Sequence, residues 1–139
     1  MIDSKKILCI EDEQEMIDLI ELILRRKGLE VLGALGGEEA LEIAKRDKPD
    51  LILLDLMMPD VDGWEVLRRM RAEEEFKDTP VIVVTAKSQD IDKALGLYIA
   101  EVDDYVVKPF RPQQLVKSVE LALFRTHGRR RSRSPSPER

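Results

Sequence analysis

The chain has 139 residues, of which 43% are apolar and 37% charged, and its formal net charge is −5. This composition suits one globular domain with a full core. It excludes a membrane-spanning helix, because Asp55 interrupts the longest apolar run, residues 51–58. The single cysteine, Cys9, excludes an internal disulfide. The N-terminus has no signal-peptide pattern, so we expect a cytoplasmic protein.

Charge is distributed unevenly along the chain. Residues 125–139 carry six arginines and one glutamate, which leaves a net charge of −10 on residues 1–124. An acidic body argues against direct nucleic-acid binding. The arginine-, serine- and proline-rich end has too few apolar residues to form a core. We therefore predict one domain over residues 1–124 and a disordered basic tail, functional or silent, over residues 125–139.

Short apolar runs alternate with amphipathic segments along the domain. The apolar runs predict five strands, and the segments with apolar residues three and four apart predict five helices. In chain order, the predicted elements are a strand at 6–10, a helix from 16 to 26, a strand at 29–32, a helix at 38–46, a strand at 51–54, a helix at 64–72, a strand at 81–84, a helix at 90–100, a strand at 105–107 and a helix at 115–124.

This order of elements predicts the fold class. Uniformly apolar strands separated by single helices indicate a parallel sheet with helices on both faces. We therefore predict an α/β fold, a doubly wound (βα)5 three-layer sandwich of the flavodoxin-like type with strand order 2-1-3-4-5. Such sheets bind ligands beyond the carboxyl ends of their strands, so that edge is where functional residues are expected.

Polar side chains follow four of the five predicted strands. Glu11 and Asp12 follow the first strand, Asp55 the third, Thr85 the fourth and Lys108 the fifth. Three carboxylates at one edge repel each other, which favours a divalent cation there, and oxygen ligands suit Mg²⁺, with Mn²⁺ as a substitute. A carboxylate beside such a cation can attack a phosphoryl group. Asp55 is then the candidate nucleophile, with Lys108 and Thr85 as ligands of the phosphoryl oxygens.

Four motifs add a family pattern to this edge. They are Glu11-Asp12, the run 55–63 that reads Asp-x-x-Met-Pro-x-x-Asp-Gly, Thr85-Ala86, and the block 104–110 that ends in Lys-Pro-Phe. Together they resemble the receiver domain of bacterial response regulators, the CheY-like superfamily of two-component signalling, over about residues 5–124. The resemblance implies that Asp55 is the phosphoacceptor and that a sensor histidine kinase or a histidine phosphotransfer protein is the donor.

The same resemblance implies a metal site. Its ligands would be Asp12, Asp55 and the backbone carbonyl of Met57, with Glu11 acting through water. The peptide bond between Lys108 and Pro109 is expected to be cis, as in the family.

The resemblance also implies a switch. Thr85 would bind the phosphoryl group and Tyr105 would rotate on activation. The moving surface would be the predicted fourth helix, fifth strand and last helix, residues 90–124, where Tyr98 and Ile99 would contact a downstream protein or a second copy of the chain. One departure falls in this region, because Glu101-Val102 stands where receivers commonly carry Gly-Ala.

Several alternatives stay open. The chain could be a receiver-like binding module that works without phosphorylation, or the N-terminal part of a longer DNA-binding regulator instead of a stand-alone receiver. A flavin or nucleotide binder would need a glycine- or serine-rich phosphate loop where Glu11 and Asp12 stand. An aspartyl phosphatase would need a second acid where Met57 stands. We therefore expect no enzyme in the usual sense, only a protein that catalyses its own phosphorylation and slow dephosphorylation.

Overall fold

A computed structural model describes the backbone of residues 4–59, 61–86 and 102–132, and their side chains except those of residues 61 and 126–132. Within these ranges, the longer strands alternate with helices over residues 6–86, and a last strand and helix follow over residues 104–132. The main elements are β1 (Lys6–Ile10), α1 (Gln14–Arg25), β2 (Glu30–Ala34), α2 (Gly37–Asp47), β3 (Leu51–Leu54), α3 (Gly63–Ala72), β4 (Val81–Ala86), β5 (Asp104–Lys108) and α4 (Pro112–Ser132). A two-residue hairpin pairs Met57–Met58 with Val61–Asp62, and a 3-10 turn spans Glu74–Phe76.

The five strands form one sheet in the order β2-β1-β3-β4-β5, and every neighbouring pair is parallel. This confirms the predicted doubly wound fold and its strand order. The predicted helix at 90–100, with Tyr98 and Ile99, lies outside the described residues, and so does Glu101.

Helices cover both faces of the sheet because successive strand residues point to opposite sides. On β1, Ile7 and Cys9 pack in a core with α1 and α4, whereas Leu8 and Ile10 pack in a second core with α2 and α3. Burying each leucine or isoleucine stabilises the fold by about 1.5–3 kcal/mol relative to an exposed side chain. Both cores therefore hold the strands in register and fix where each strand ends.

Two boundaries differ from the sequence prediction in a way that concerns function. β4 continues through Thr85 to Ala86, and β5 continues to Lys108. In the ladder between these strands, Thr85 pairs with Val107 and Lys108 pairs with Ala86. Their positions at the carboxyl edge are therefore set by sheet hydrogen bonds and not by a loop.

The last helix also differs from its prediction. α4 was expected to end at Phe124, but it begins at Pro112 and continues to Ser132, so residues 125–132 of the expected disordered tail are helical. Arginine is a good helix former, and the first proline after Pro112 is Pro135. Gly128 weakens the helix by about 1 kcal/mol relative to alanine but does not end it. Among the described residues, no helix is both long and apolar enough to cross a bilayer.

Candidate functional site

The carboxyl edge of the sheet fixes the main chain of two acidic residues. The Glu11 amide donates to the Ala34 carbonyl at 3.0 Å, and the Asp55 amide donates to the Ile10 carbonyl at 3.0 Å. These bonds extend the parallel ladders by one residue beyond β1 and β3. Both carboxylates therefore start from rigid backbone at adjacent strands.

Three carboxylates meet at this edge. Single oxygen atoms of Glu11, Asp12 and Asp55 all lie within 4.8 Å of one another. Glu11 is 2% exposed and Asp55 is 5% exposed, whereas Asp12 is the most open of the three. The cluster is therefore a largely buried group of negative charges that is reached from solvent past Asp12.

Lys108 places a positive charge inside this cluster. Its Nζ donates to Glu11 Oε1 at 2.7 Å and to Asp55 Oδ2 at 3.0 Å. The two partners come from strands that are not neighbours of β5, so the long lysine side chain reaches across the sheet edge. One ammonium and three carboxylates leave an excess of negative charge at the site.

The electrostatics follow from burial and these contacts. Burial raises the pKa of the Glu11 carboxyl to about 7. The hydrogen bond from Lys108 lowers this pKa, whereas the nearby negative charge of Asp55 raises it further. For Lys108, burial lowers the pKa, but the hydrogen bonds to Glu11 and Asp55 outweigh it and raise the pKa above its ordinary value. Lys108 is therefore fully charged at neutral pH and available to bind an anion.

The loop after β3 orients Asp55. The Met57 amide donates to Asp55 Oδ1 at 2.9 Å, so each carboxylate oxygen of Asp55 accepts one hydrogen bond, the other coming from Lys108. The hairpin then pairs Met57 with Asp62, and Asp62 Oδ1 accepts from the Trp64 amide at 3.0 Å at the start of α3. The loop is therefore ordered by its own hydrogen bonds from the carboxylate to the next helix.

Thr85 lies one strand further along the same edge. Its side chain is fully buried, and within the described part of the chain its Oγ1 is a buried polar atom with no hydrogen-bond partner. An unpartnered buried hydroxyl is uncommon and needs an explanation. Its place at the carboxyl end of β4, next to β3, makes this hydroxyl a candidate donor for a group bound at the edge of the sheet.

Tyr105 lies on the same face of the sheet as Thr85. Its ladder partner on β4 is Val83, which is two residues before Thr85 and so points to the same side. Tyr105 is 44% exposed and lies outside the carboxylate cluster. The structure thus brings Glu11, Asp12, Asp55 and Lys108 together and keeps Tyr105 apart from them. The expected cis peptide bond before Pro109 is confirmed.

The donor set fits a hard divalent cation. Oxygens that share one Mg²⁺ at 2.0–2.1 Å lie at most about 4.2 Å apart, so a cluster within 4.8 Å needs only small side-chain rotations to close around the ion. In the described part of the chain, this cluster consists of carboxylate oxygens alone, which favours Mg²⁺ or Mn²⁺ over zinc or copper.

Comparisons with known proteins agree with this geometry. Residues 7–120 match the family described as response regulator receiver domain. The chain belongs to this family. It is also 42% identical over 123 residues to the alkaline phosphatase synthesis transcriptional regulatory protein PhoP of Bacillus subtilis, a match that covers 88% of this chain and 50% of PhoP. This receiver domain therefore spans half the length of that relative.

Solved structures of receiver domains are similar in fold. The receiver domain of a sensor histidine kinase from Pseudomonas aeruginosa, which has a magnesium ion coordinated in its active-site cleft, is 31% identical with a TM-score of 0.78, over 87% of this chain and 98% of that one. The N-terminal domain of a response regulator receiver protein from Methanoculleus marisnigri is 36% identical with a TM-score of 0.69, over 85% and 95%.

Sequence reasoning missed one residue of the site. Gly63, the first residue of α3, entered the sequence analysis only as the last residue of the run 55–63 that resembles the receiver family. In the structure it is buried, and its α-carbon lies against the backbone that carries Asp55. The position of this glycine in the motif was visible, but its contact with the segment that carries Asp55 was not.

Proposed function

We propose that this receiver domain accepts a phosphoryl group on Asp55 in a Mg²⁺-dependent reaction and thereby changes the surface it offers to a protein partner. The observation that carries the proposal is the contact set of Asp55, a buried carboxylate with Lys108 Nζ at 3.0 Å and two further carboxylates within 4.8 Å. Positioning and charge neutralisation account for most of the catalysis of phosphoryl transfer.

The step is a displacement at phosphorus. A carboxylate oxygen of Asp55 forms the new bond to phosphorus as the bond to the donor breaks. With acetyl phosphate the leaving group is acetate, and with a phosphohistidine it is the imidazole, which takes a proton from water. Lys108 stays protonated and holds one phosphoryl oxygen, while Thr85 donates its unpartnered hydroxyl to another.

Glu11, Asp12, Asp55 and the backbone carbonyl of Met57 would hold the cation, with Glu11 through water. When bound, Mg²⁺ neutralises negative charge between Asp55 and the incoming phosphoryl group. Mn²⁺ has the same ligand preference and would substitute for it.

The donor would be a sensor histidine kinase or a histidine phosphotransfer protein. The chain would catalyse only its own phosphorylation and slow dephosphorylation. The output would be a protein target or a second copy of the chain that binds through residues 90–124. A second candidate is supported by the match to half of PhoP, a protein named as a transcriptional regulator. On that alternative, the chain is the receiver part of a longer DNA-binding regulator.

We expect intact-mass spectrometry to show one added phosphoryl group after incubation with acetyl phosphate and Mg²⁺. The adduct should be absent with EDTA and absent in Asp55→Asn, which keeps the size of the side chain but removes the nucleophile. A known receiver phosphorylated in parallel is the positive control. Unmodified wild-type protein in that experiment would contradict the proposal.

Thr85→Val tests the role assigned to the unpartnered hydroxyl. A buried polar group without a partner costs about 1–3 kcal/mol, so the isosteric valine should stabilise the unphosphorylated protein by about 1 kcal/mol in urea unfolding. Thr79→Val is the control for replacing a buried threonine as such, because Thr79 is also buried but precedes the amino end of β4, away from the carboxyl edge. A destabilised Thr85→Val would contradict the reading of the hydroxyl as unpartnered.

Thr85→Val also tests the proposed coupling between the Thr85 hydroxyl and the surface that contains Tyr105. Phosphorylation adds about −1.5 to −2 charges and three acceptor oxygens, and Thr85 would move toward one of them. Thr85→Val should therefore still be phosphorylated but should lose the change in amide hydrogen exchange over residues 90–110 that wild type shows with beryllofluoride and Mg²⁺. A variant that responds as wild type does would remove the hydroxyl from the switch.

A further inference from the structure

The start of α3 lies against the backbone of the phosphoacceptor segment. A Cβ atom placed on Gly63 would be 2.7 Å from the Cα of Leu56 and 2.9 Å from the carbonyl oxygen of Asp55. Real Cβ atoms essentially never approach other atoms so closely. Both neighbours are main-chain atoms, which cannot rotate away as a side chain can.

We propose that Gly63 is a positioning residue for Asp55, because only glycine lets α3 begin close enough to hold residues 55 and 56 in place. Gly63 does not have a positive φ, so conformational freedom is not the reason for a glycine at this position. The requirement is one of space alone. This inference rests on the proposed role of Asp55 as phosphoacceptor.

The consequence of a larger residue follows from what the segment carries. The Asp55 carboxylate and the Met57 amide and carbonyl move with residues 55–57. Lys108, Glu11 and Asp12 are attached to other strands and would stay where they are. A side chain at position 63 would therefore shift the nucleophile relative to the rest of the site, and a misplacement of about 1 Å can cost about 100-fold in rate.

Two other glycines provide matched controls. Gly33 on β2 has an equally short clearance, 2.7 Å, but to Cγ2 of the Ile17 side chain on α1, which lies away from Asp55. Gly36 precedes α2 as Gly63 opens α3, and a Cβ there would meet nothing within 4 Å. Gly33→Ala thus reproduces the overlap without the shift of Asp55, and Gly36→Ala reproduces the substitution without the overlap.

The experiment compares Gly63→Ala, Gly33→Ala and Gly36→Ala with wild type in the full chain. Mg²⁺ affinity is read from the fluorescence of Trp64, the single tryptophan, and the initial rate of phosphorylation by acetyl phosphate from intact mass. We expect Gly63→Ala to weaken Mg²⁺ binding about fivefold and to slow phosphorylation about tenfold or more. We expect both controls to stay within about twofold of wild type, even where Gly33→Ala lowers the melting temperature.

Three outcomes would overturn the proposal. They are unchanged Mg²⁺ affinity and rate in Gly63→Ala, an equal loss in Gly33→Ala, and general unfolding of Gly63→Ala, since the proposal assigns the effect to the position of Asp55 and not to the whole fold. If wild type binds Mg²⁺ but is not phosphorylated, the proposed function fails. The Mg²⁺ titration still decides the role of Gly63 in that case.

Discussion

Replacing Lys108 with alanine is expected to slow the phosphorylation of Asp55 by about 100- to 1000-fold. This is the usual loss when one preorganised charged or hydrogen-bonding group is removed from a site where negative charge develops. Lys108 is well placed for that role, because its Nζ lies 3.0 Å from Asp55 Oδ2 and its pKa is raised by its hydrogen bonds. Initial rates with acetyl phosphate, read from intact mass, would measure the effect.

The same substitution should tighten Mg²⁺ binding. Lys108 occupies oxygen atoms of Glu11 and Asp55 and adds a positive charge next to the cation. Removing it therefore frees ligands and relieves repulsion, so affinity and rate should change in opposite directions. Lys45→Ala, which breaks an exposed 3.5 Å ion pair with Glu73, is the control and should change neither. Weaker Mg²⁺ binding in Lys108→Ala would mean that the lysine mainly orders the site.

The convergence of the site could be predicted from the sequence because it depends only on strand order. The apolar run Leu51–Leu54 has no polar, solvent-exposed face, which predicts that Asp55 lies at the end of a buried parallel strand. The same argument placed Glu11 beyond β1 and Lys108 at the end of the last strand. The sheet order β2-β1-β3-β4-β5 then brings them to one edge.

Other features depend on distances that no local pattern encodes. Glu11 and Lys108 are 97 residues apart and hydrogen-bond across two intervening strands, so their 2.7 Å contact exists only in the folded sheet. The missing partner of Thr85 depends on everything packed around β4. The length of α4 was missed because arginine-rich sequence is compatible with both a helix and a solvated tail, and the helix continues through Gly128, which the sequence offers as a stop signal.

The close approach of Gly63 to residues 55 and 56 is another feature that no local sequence pattern encodes. The sequence marks Asp62-Gly63 as a turn, which is consistent with the observed hairpin and helix start. It does not record that residues 55 and 56 return to pass beside that glycine. Chemistry at the carboxyl edge was therefore predictable, whereas the support that holds it in place required the three-dimensional path of the loop.

Asp12→Asn is expected to change the sign of its effect on stability when Mg²⁺ is added. Asp12 lies within 4.8 Å of two other carboxylates, and one lysine cannot neutralise all three. In metal-free buffer, removing the Asp12 charge should therefore stabilise the protein. Because Asp12 is open to solvent, we expect a gain of only about 0.5–1 kcal/mol.

With Mg²⁺ present, the order should reverse. A ligand that binds only the folded state at about 100 times its Kd stabilises that state by about 2.7 kcal/mol, and wild type should gain this amount. Asp12→Asn loses a charged oxygen ligand and should gain far less. For a domain of this size, each kcal/mol corresponds to roughly 2–8 °C in melting temperature, so both shifts are measurable.

The measurement is thermal or urea unfolding of wild type and Asp12→Asn with EDTA and with saturating Mg²⁺, at matched ionic strength. Glu42→Gln removes an exposed negative charge from α2 and is the control. It should respond to Mg²⁺ as wild type does, because its charge is not part of the cluster. If Asp12→Asn is less stable than wild type without metal, repulsion among the carboxylates is not what destabilises the site. If it gains as much stability from Mg²⁺ as wild type, Asp12 is not a ligand. The expected reversal requires both the repulsion among the carboxylates and the binding of Mg²⁺ by Asp12. The same concentration of negative charge destabilises the metal-free site and attracts the cation.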